Sequence, residues 1–137
     1  MGAWGDGLLE NDDAMDWLAD LEASGDGFTV RDTLDEVATT PPDEYLDADV
    51  GQHALVAAEL VAAAAGRPAQ GQSDYERIVA WARENPGVAE LLDLARRAVE
   101  RAEQGESEIR DLWLEEDEAG SGAWFRAVAD LKGRLAA

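Results

Sequence analysis

The sequence predicts an all-α protein, a single compact bundle of six or seven helices around a central apolar helix at about residues 49–65. The stretch ALVAAELVAAAA, residues 54–65, is interrupted only by Glu59, and such a segment is typical of a helix covered on every side by other helices. Elsewhere, apolar residues recur at the i, i+3, i+4 spacing of amphipathic helices, and no stretch alternates with the period of a strand. A length of 137 residues fits one domain spanning 1–137.

The first helix is predicted to begin at about Asn11, a good N-cap followed by two aspartates in the first turn. Its apolar positions are Ala14, Leu18 and Leu21, and residues 24–27, Ser-Gly-Asp-Gly, end it. A shorter helix follows. Its apolar residues are Phe28, Val30, Leu34, Val37 and Ala38, and it ends at Thr39-Thr40-Pro41-Pro42.

The central helix is expected to begin at Asp47 or Asp49 and to end at Gly66-Arg67-Pro68, with glycine at the C′ position. Residues 73–76, Ser-Asp-Tyr-Glu, match a capping box that would open the next helix. Asn85-Pro86-Gly87 would end that helix.

Three helices complete the predicted bundle. Residues 88–102 show the strongest helical spacing, and Gly105 follows them. Ser107 is the expected cap of the next helix. After a turn at 120–122, the last helix carries Trp124, Val128, Leu131 and Leu135 on one side. Most of the five tryptophans are expected in the core.

The net charge is the unusual quantity, since 11 basic residues oppose 31 acidic ones and give −20. Such a surface repels nucleic acid and anionic membranes and attracts basic proteins. The only lysine is Lys132, which also fits a compositional bias or an adaptation to salt. We expect no signal peptide and no membrane-spanning segment, because the opening residues lack a basic start and the apolar run is too short to cross a bilayer. The absence of cysteine fits a cytoplasmic location.

Self-repulsion at this net charge predicts that added salt stabilises the fold, because screening shortens the range of charge interactions to about 8 Å at physiological ionic strength. The melting temperature should rise between low and moderate NaCl. A fall over that range would count against the prediction.

Residue types limit the chemistry. With one histidine, His53, and no cysteine, neither a zinc site nor a nucleophile–histidine pair is favoured. The segment 47–51 does not fit a calcium-binding loop, since Gly51 falls where a ligand is required. No catalytic residue and no cofactor is therefore predicted.

A carboxylate site for a hard divalent ion is the remaining candidate. Asp12, Asp13 and Asp16 share a helix face, and Glu59 or Glu108 from another helix would complete it. Complementarity to the helix dipole and solvation explain the aspartates more simply.

Glu59 itself raises a question, because a carboxylate in an apolar core needs a partner. The candidates are an arginine such as Arg97 or Arg110, a tryptophan indole, or the backbone amides of residues 2–7. We expect the amides, with Trp4 covering them, to hold Glu59 in a structural role.

The opening MGAWGDGLLENDDAMDWL, the central AAELVAAAAGRP and the late SEIRDLW resemble a family of small bacterial proteins known as domain of unknown function 4259. The resemblance covers nearly the whole chain and implies no activity. The residues that form its structural signature here are Gly2, Trp4, Gly5, Gly7, Asn11, Asp12, Glu59, Glu108 and Trp113.

Three functions are compatible with these observations. The first is a non-catalytic acidic protein that binds a basic partner, as an immunity, antitoxin-like or regulatory protein does. The alternative is a carboxylate-based metal-binding protein, including a hydrolase. The third is mimicry of DNA charge, which requires acidic residues along one elongated face.

Overall fold

A computed structural model of the protein describes residues 12–69, 75–116 and 122–136. This part of the chain forms seven α-helices and no sheet, which confirms the all-α prediction. The helices are α1 (Asp12–Ser24), α2 (Gly27–Ala38), α3 (Ala48–Ala64), α4 (Tyr75–Glu84), α5 (Leu92–Glu103), α6 (Glu108–Glu116) and α7 (Ala123–Leu135). None of these helices is long and apolar enough to cross a membrane. The expected caps Asn11 and Ser73 lie outside the described residues.

Helix α3 is the centre of the bundle. It contacts each of the other six helices, and between Gly51 and Ala62 all its residues except His53 are buried. A Cβ atom on Gly51 would lie 2.9 Å from Ile109 Cγ2, so this glycine lets α6 approach closely. The apolar run therefore occupies the predicted position.

The end of α3 also follows the prediction. Gly66 has φ +87°, and the Arg67 amide donates to the Ala62 carbonyl at 2.8 Å. A hydrogen bond that spans five residues at a helix end is part of the Schellman motif, which favours glycine at C′.

Two helix starts differ from the sequence interpretation. Residues 86–91 form a 3₁₀ helix, and α5 begins only at Leu92. Pro86 cannot donate a backbone hydrogen bond, and Val88 bonds three residues back to the Asn85 carbonyl. Asp26, interpreted as part of a helix break, caps α2 and forms a capping box with Thr29.

Two loops are joined beside α6. The Leu46 amide donates to the Glu106 carbonyl, and the Glu108 amide donates to the Leu46 carbonyl, both at 2.9 Å. The Glu106 amide donates to the Pro42 carbonyl, also at 2.9 Å. These bonds fix the 40–47 connector against the loop before α6.

Replacing Gly105 with alanine should destabilise the protein by about 1–3 kcal/mol, the scale for a strained backbone conformation. Gly105 has φ +71°, and an added Cβ would lie 2.7 Å from the Pro42 carbonyl oxygen. Urea unfolding followed by circular dichroism measures the change. Gly66→Ala has a similar φ with open space around it, so it isolates the strain from the clash. Equal losses at the two positions would contradict a contribution from the clash.

Candidate functional site

Glu59 lies in the middle of α3 with an exposure of 1%. Arg134, near the end of α7, donates Nη1 to Glu59 Oε1 at 2.8 Å and Nη2 to Oε2 at 3.0 Å. The Tyr75 side chain forms a further hydrogen bond to this carboxylate. Both oxygens are therefore bound by a two-pronged guanidinium contact of the strong, directional kind.

The partner of Glu59 is an arginine, one of the expected kinds of partner, but it is neither of the two arginines named from the sequence. Arg97 pairs instead with Asp93, at 3.1 Å, and Arg110 pairs with Asp111, at 3.0 Å. The expected amides of residues 2–7 lie outside the described residues. Arg134 follows Leu131 by three positions and precedes Leu135, which places it at the edge of the apolar stripe of α7. This position was the one sequence feature that could have indicated a buried arginine.

Arg134 also binds groups other than Glu59. Its Nε donates to Asp130 Oδ2 at 2.8 Å. Its Nη1 donates to the Arg67 carbonyl at 3.2 Å, and Arg67 Nη1 donates back to the Arg134 carbonyl at 2.8 Å. The end of α3 and the end of α7 are thereby tied together.

Burial and hydrogen bonding act in opposite directions on the pKa values of this pair. Desolvation raises the pKa of Glu59 above its usual value, and the hydrogen bonds and charge of Arg134 oppose that rise. Burial would lower the pKa of Arg134, but its bonds to Glu59 and Asp130 outweigh burial, so the net shift is upward. Arg134 therefore stays charged, and Glu59 is too deeply buried to serve a substrate as a base.

Arg101 of α5 is a second buried charge, which the sequence interpretation missed. It is 7% exposed and spans both loops beside α6. Its guanidinium donates to the carbonyls of Thr40 (2.8 Å), Pro41 (2.9 Å), Glu44 (2.6 Å), Gln104 (2.8 Å) and Glu106 (3.1 Å). Its spacing could have indicated this burial, because Arg101 lies three residues after Ala98 on the apolar face of α5.

Glu108 acts as a helix cap. Its Oε1 accepts the backbone N–H of Ala48 at 2.7 Å, at the start of α3. Ser107 Oγ accepts the Arg110 amide at 3.4 Å and donates to the Ala102 carbonyl. The expected cap at Ser107 is present, and Glu108 joins two helix starts.

The candidate metal ligands do not converge. Asp12, Asp13 and Asp16 are exposed on α1, whereas Glu59 binds Arg134 and Glu108 binds Ala48. Among the residues that the structure describes, no group of three or more acidic or histidine side chains is placed to hold a metal ion.

The aromatic residues make packing contacts. His53 stacks on Trp17 with ring centroids 6.4 Å apart, and Trp113 stacks on Trp124 at 6.2 Å. Trp124 is buried and Trp113 half-buried, in agreement with a core role. Five of the nine signature residues lie outside the described part, namely Gly2, Trp4, Gly5, Gly7 and Asn11.

Exposed apolar groups and acids both occur around α6. Across the described residues, four large apolar side chains are exposed, and three of them, Tyr45, Leu112 and Leu114, lie on α6 or the adjoining connector. The hydroxyl of Tyr45 has a pKa above its usual value, first through desolvation and then through the negative charges around it. The carboxylates that act on it belong to Glu108, Asp111, Glu106 and Asp47.

The Tyr45 phenol should therefore ionise above pH 10.0, its ordinary value. Carbon NMR of labelled tyrosine rings measures the midpoint, and Tyr45→Phe assigns the signal. Because charge repulsion is screened by salt, 1 M NaCl should move the midpoint back toward 10. A midpoint that does not move with salt would show that the carboxylates do not act on this hydroxyl, and a midpoint below 10 would contradict the raised pKa itself.

The fourth exposed apolar residue, Phe28, borders an open groove of about 380 Å³ between the start of α2 and the 3₁₀ helix. Val88 and Leu91 contribute apolar walls, while Asp26, Glu90 and Arg31 bring charges of both signs. The groove therefore carries no strong charge preference.

A family model described as Domain of unknown function (DUF4259) matches residues 2–126 of the chain. The match includes Glu59, Arg101 and the Tyr45 region, and ends before Arg134. Searches of curated proteins and of solved structures give no significant match.

Proposed function

The chain belongs to the DUF4259 family, whose description carries no activity, and we propose that it is a non-catalytic acidic module that binds a basic protein in the cytoplasm. An immunity, antitoxin-like or regulatory role would use such binding. The observation that carries the proposal is the exposed Tyr45 among four carboxylates, because an apolar group surrounded by acids is suited to a basic partner.

The buried ionisable groups support a role without catalysis. Glu59 is bound by Arg134, and Arg101 is bound by backbone carbonyls. These contacts stabilise packing and leave neither group accessible to a substrate.

The competing functions have less support. A metal-dependent hydrolase needs converging carboxylates, and the described candidates are separated or already bound. Mimicry of DNA needs acids along one face, whereas exposed acids occur on α1, α2 and α5.

Affinity capture with the purified chain, followed by reconstitution with each captured protein made recombinantly, tests the proposal. We expect a basic partner that binds directly, with affinity falling steeply as NaCl increases. Absence of any basic protein that binds directly at low salt would overturn it.

Calorimetric titration with Mg²⁺, Mn²⁺ and Ca²⁺ tests the metal alternative. Binding of one ion per chain, lost in Asp12→Asn or Asp16→Asn, would favour that alternative over the proposal. Our proposal expects no saturable heat.

A further inference from the structure

We propose that Tyr45 and the adjacent side of α6 form a docking site for an arginine side chain of the basic partner. This Tyr45 surface consists of Tyr45, Asp47, Glu106, Glu108, Asp111 and Leu112. The inference rests on the proposed function and specifies where the partner binds and which side chain it presents.

The Tyr45 surface has the composition of an interaction site. Tyr45 is 52% exposed and Leu112 is 44% exposed, and Leu112 follows Glu108 by one helical turn. Tyrosine on one partner and arginine on the other are enriched among residues that dominate binding energy. Tyr45 and Leu112 are therefore apolar groups that the fold itself leaves uncovered.

The backbone that carries Tyr45 is held in place on both sides. The preceding carbonyl, of Glu44, accepts Arg101 Nη2 at 2.6 Å. The following residue, Leu46, bonds to the backbone of Glu106 and Glu108 at 2.9 Å each. A side chain presented by a fixed backbone costs less conformational entropy on binding.

The charges around the ring favour a cation. Glu108 caps α3, and Asp111 pairs with Arg110 at the surface. In the part of the chain that the structure describes, Asp47 and Glu106 form no salt bridge, so their carboxylates are available to an incoming guanidinium.

Arginine suits this site better than lysine. Its planar guanidinium stacks on an aromatic ring and bonds carboxylates through two parallel donors, whereas an ammonium is a compact, strongly hydrated charge. Both features are provided together by Tyr45 and the carboxylates of Asp47 and Glu106.

Other occupants fit less well. A second copy would bring the same four carboxylates face to face, with −20 on each chain. The groove beside Phe28 is lined by two acidic residues and Arg31, whereas four carboxylates act on Tyr45 and one of them pairs with Arg110, so the Tyr45 surface carries the larger negative charge.

NMR titration of the ¹⁵N-labelled protein with the peptide acetyl-Gly-Arg-Gly-amide tests the site. Matched peptides with lysine or citrulline in place of arginine separate guanidinium recognition from charge alone. We expect saturable shifts in the amides of 44–47 and 106–112, weaker binding of lysine, and no binding of citrulline.

Tyr45→Ala should weaken arginine-peptide binding about two- to fivefold, the effect of losing an exposed cation–π contact. Tyr45→Phe should retain binding, since it keeps the ring. Phe28→Ala is the matched control, an exposed aromatic elsewhere, and should change nothing. A combined Asp47→Asn and Glu106→Gln variant tests the carboxylates without removing the ring and should also weaken binding.

Shifts centred on Asp26 and Val88, equal binding of arginine and lysine, or unchanged binding by Tyr45→Ala would each overturn the inference. Light scattering could also show that the free protein self-associates. If Leu112→Asp relieved this association, the Tyr45 surface would bind a second copy, and the inference would be overturned as well.

A reconstituted basic partner that binds wild type and Tyr45→Ala equally would refute this site while leaving the proposed function intact. Peptide binding at Tyr45 without any basic protein partner would refute the proposed function alone.

Discussion

Replacing Arg134 with methionine is expected to destabilise the protein by about 3–5 kcal/mol, the scale for removing one partner of a buried ion pair. The change leaves Glu59, which is 1% exposed, without its two guanidinium bonds. Urea unfolding followed by tryptophan fluorescence measures the free energy of unfolding.

The loss of stability caused by Arg134→Met should increase with pH. Burial raises the pKa of Glu59 and Arg134 opposes that rise, so the folded-state pKa of Glu59 should be higher still in this variant. A carboxyl group whose folded-state pKa is raised contributes stability below its unfolded pKa and loses it as pH increases through the folded value. The variant should therefore be closest to wild type near pH 4 and furthest from it at pH 8.

A double variant separates charge burial from lost packing. Glu59→Leu with Arg134→Met removes both charges and keeps side chains of similar size, so its stability should return to within about 1 kcal/mol of wild type. Arg97→Met is the control, since Arg97 and Asp93 are 55% and 69% exposed and such a pair contributes about 0–1 kcal/mol. A double variant as unstable as Arg134→Met would show that the charge of Glu59 is not the cause.

Arg101→Met should cost a comparable amount, about 3–5 kcal/mol, because a buried, charge-assisted network loses its donor. Five backbone carbonyls from two loops would lose that donor at once. Arg101→Lys should recover only part of the stability, since one ammonium cannot reach the same set of acceptors.

The effect of Arg101→Met should also be local. Hydrogen exchange should accelerate at the Leu46, Glu106 and Glu108 amides, which join the same loops. Arg96→Met on the same helix removes only a surface pair with Asp93 and should leave these amides protected. Unchanged exchange in Arg101→Met would show that the backbone bonds hold the loops without the guanidinium.

Local sequence patterns were enough to predict most of the helices. The apolar run around Glu59 predicted the central helix to within one residue at either end. Gly66 and Ser107 were identified as a helix stop and a helix cap because both act on backbone groups a few residues away. The start of α5 was misjudged because the spacing of Val88, Leu91 and Leu92 fits a 3₁₀ turn as well as an α-helix.

The candidate site could be predicted only in its parts. The sequence provided the excess of acidic residues, the buried carboxylate and the lack of cysteine. It did not indicate that Tyr45 lies among the carboxylates of Glu106 and Asp111, because that depends on how the connector joins the loop before α6.

By itself, the sequence determined the helical class, the central position of α3 and the excess of negative charge, since each follows from composition or from contacts within a few residues. Only the tertiary structure decided that Glu59 binds Arg134, 75 positions away, and that Arg101 binds Thr40, 61 positions away. The reason is physical: helix packing brings such partners together, and the pattern within one helix does not specify which residue of another helix it meets.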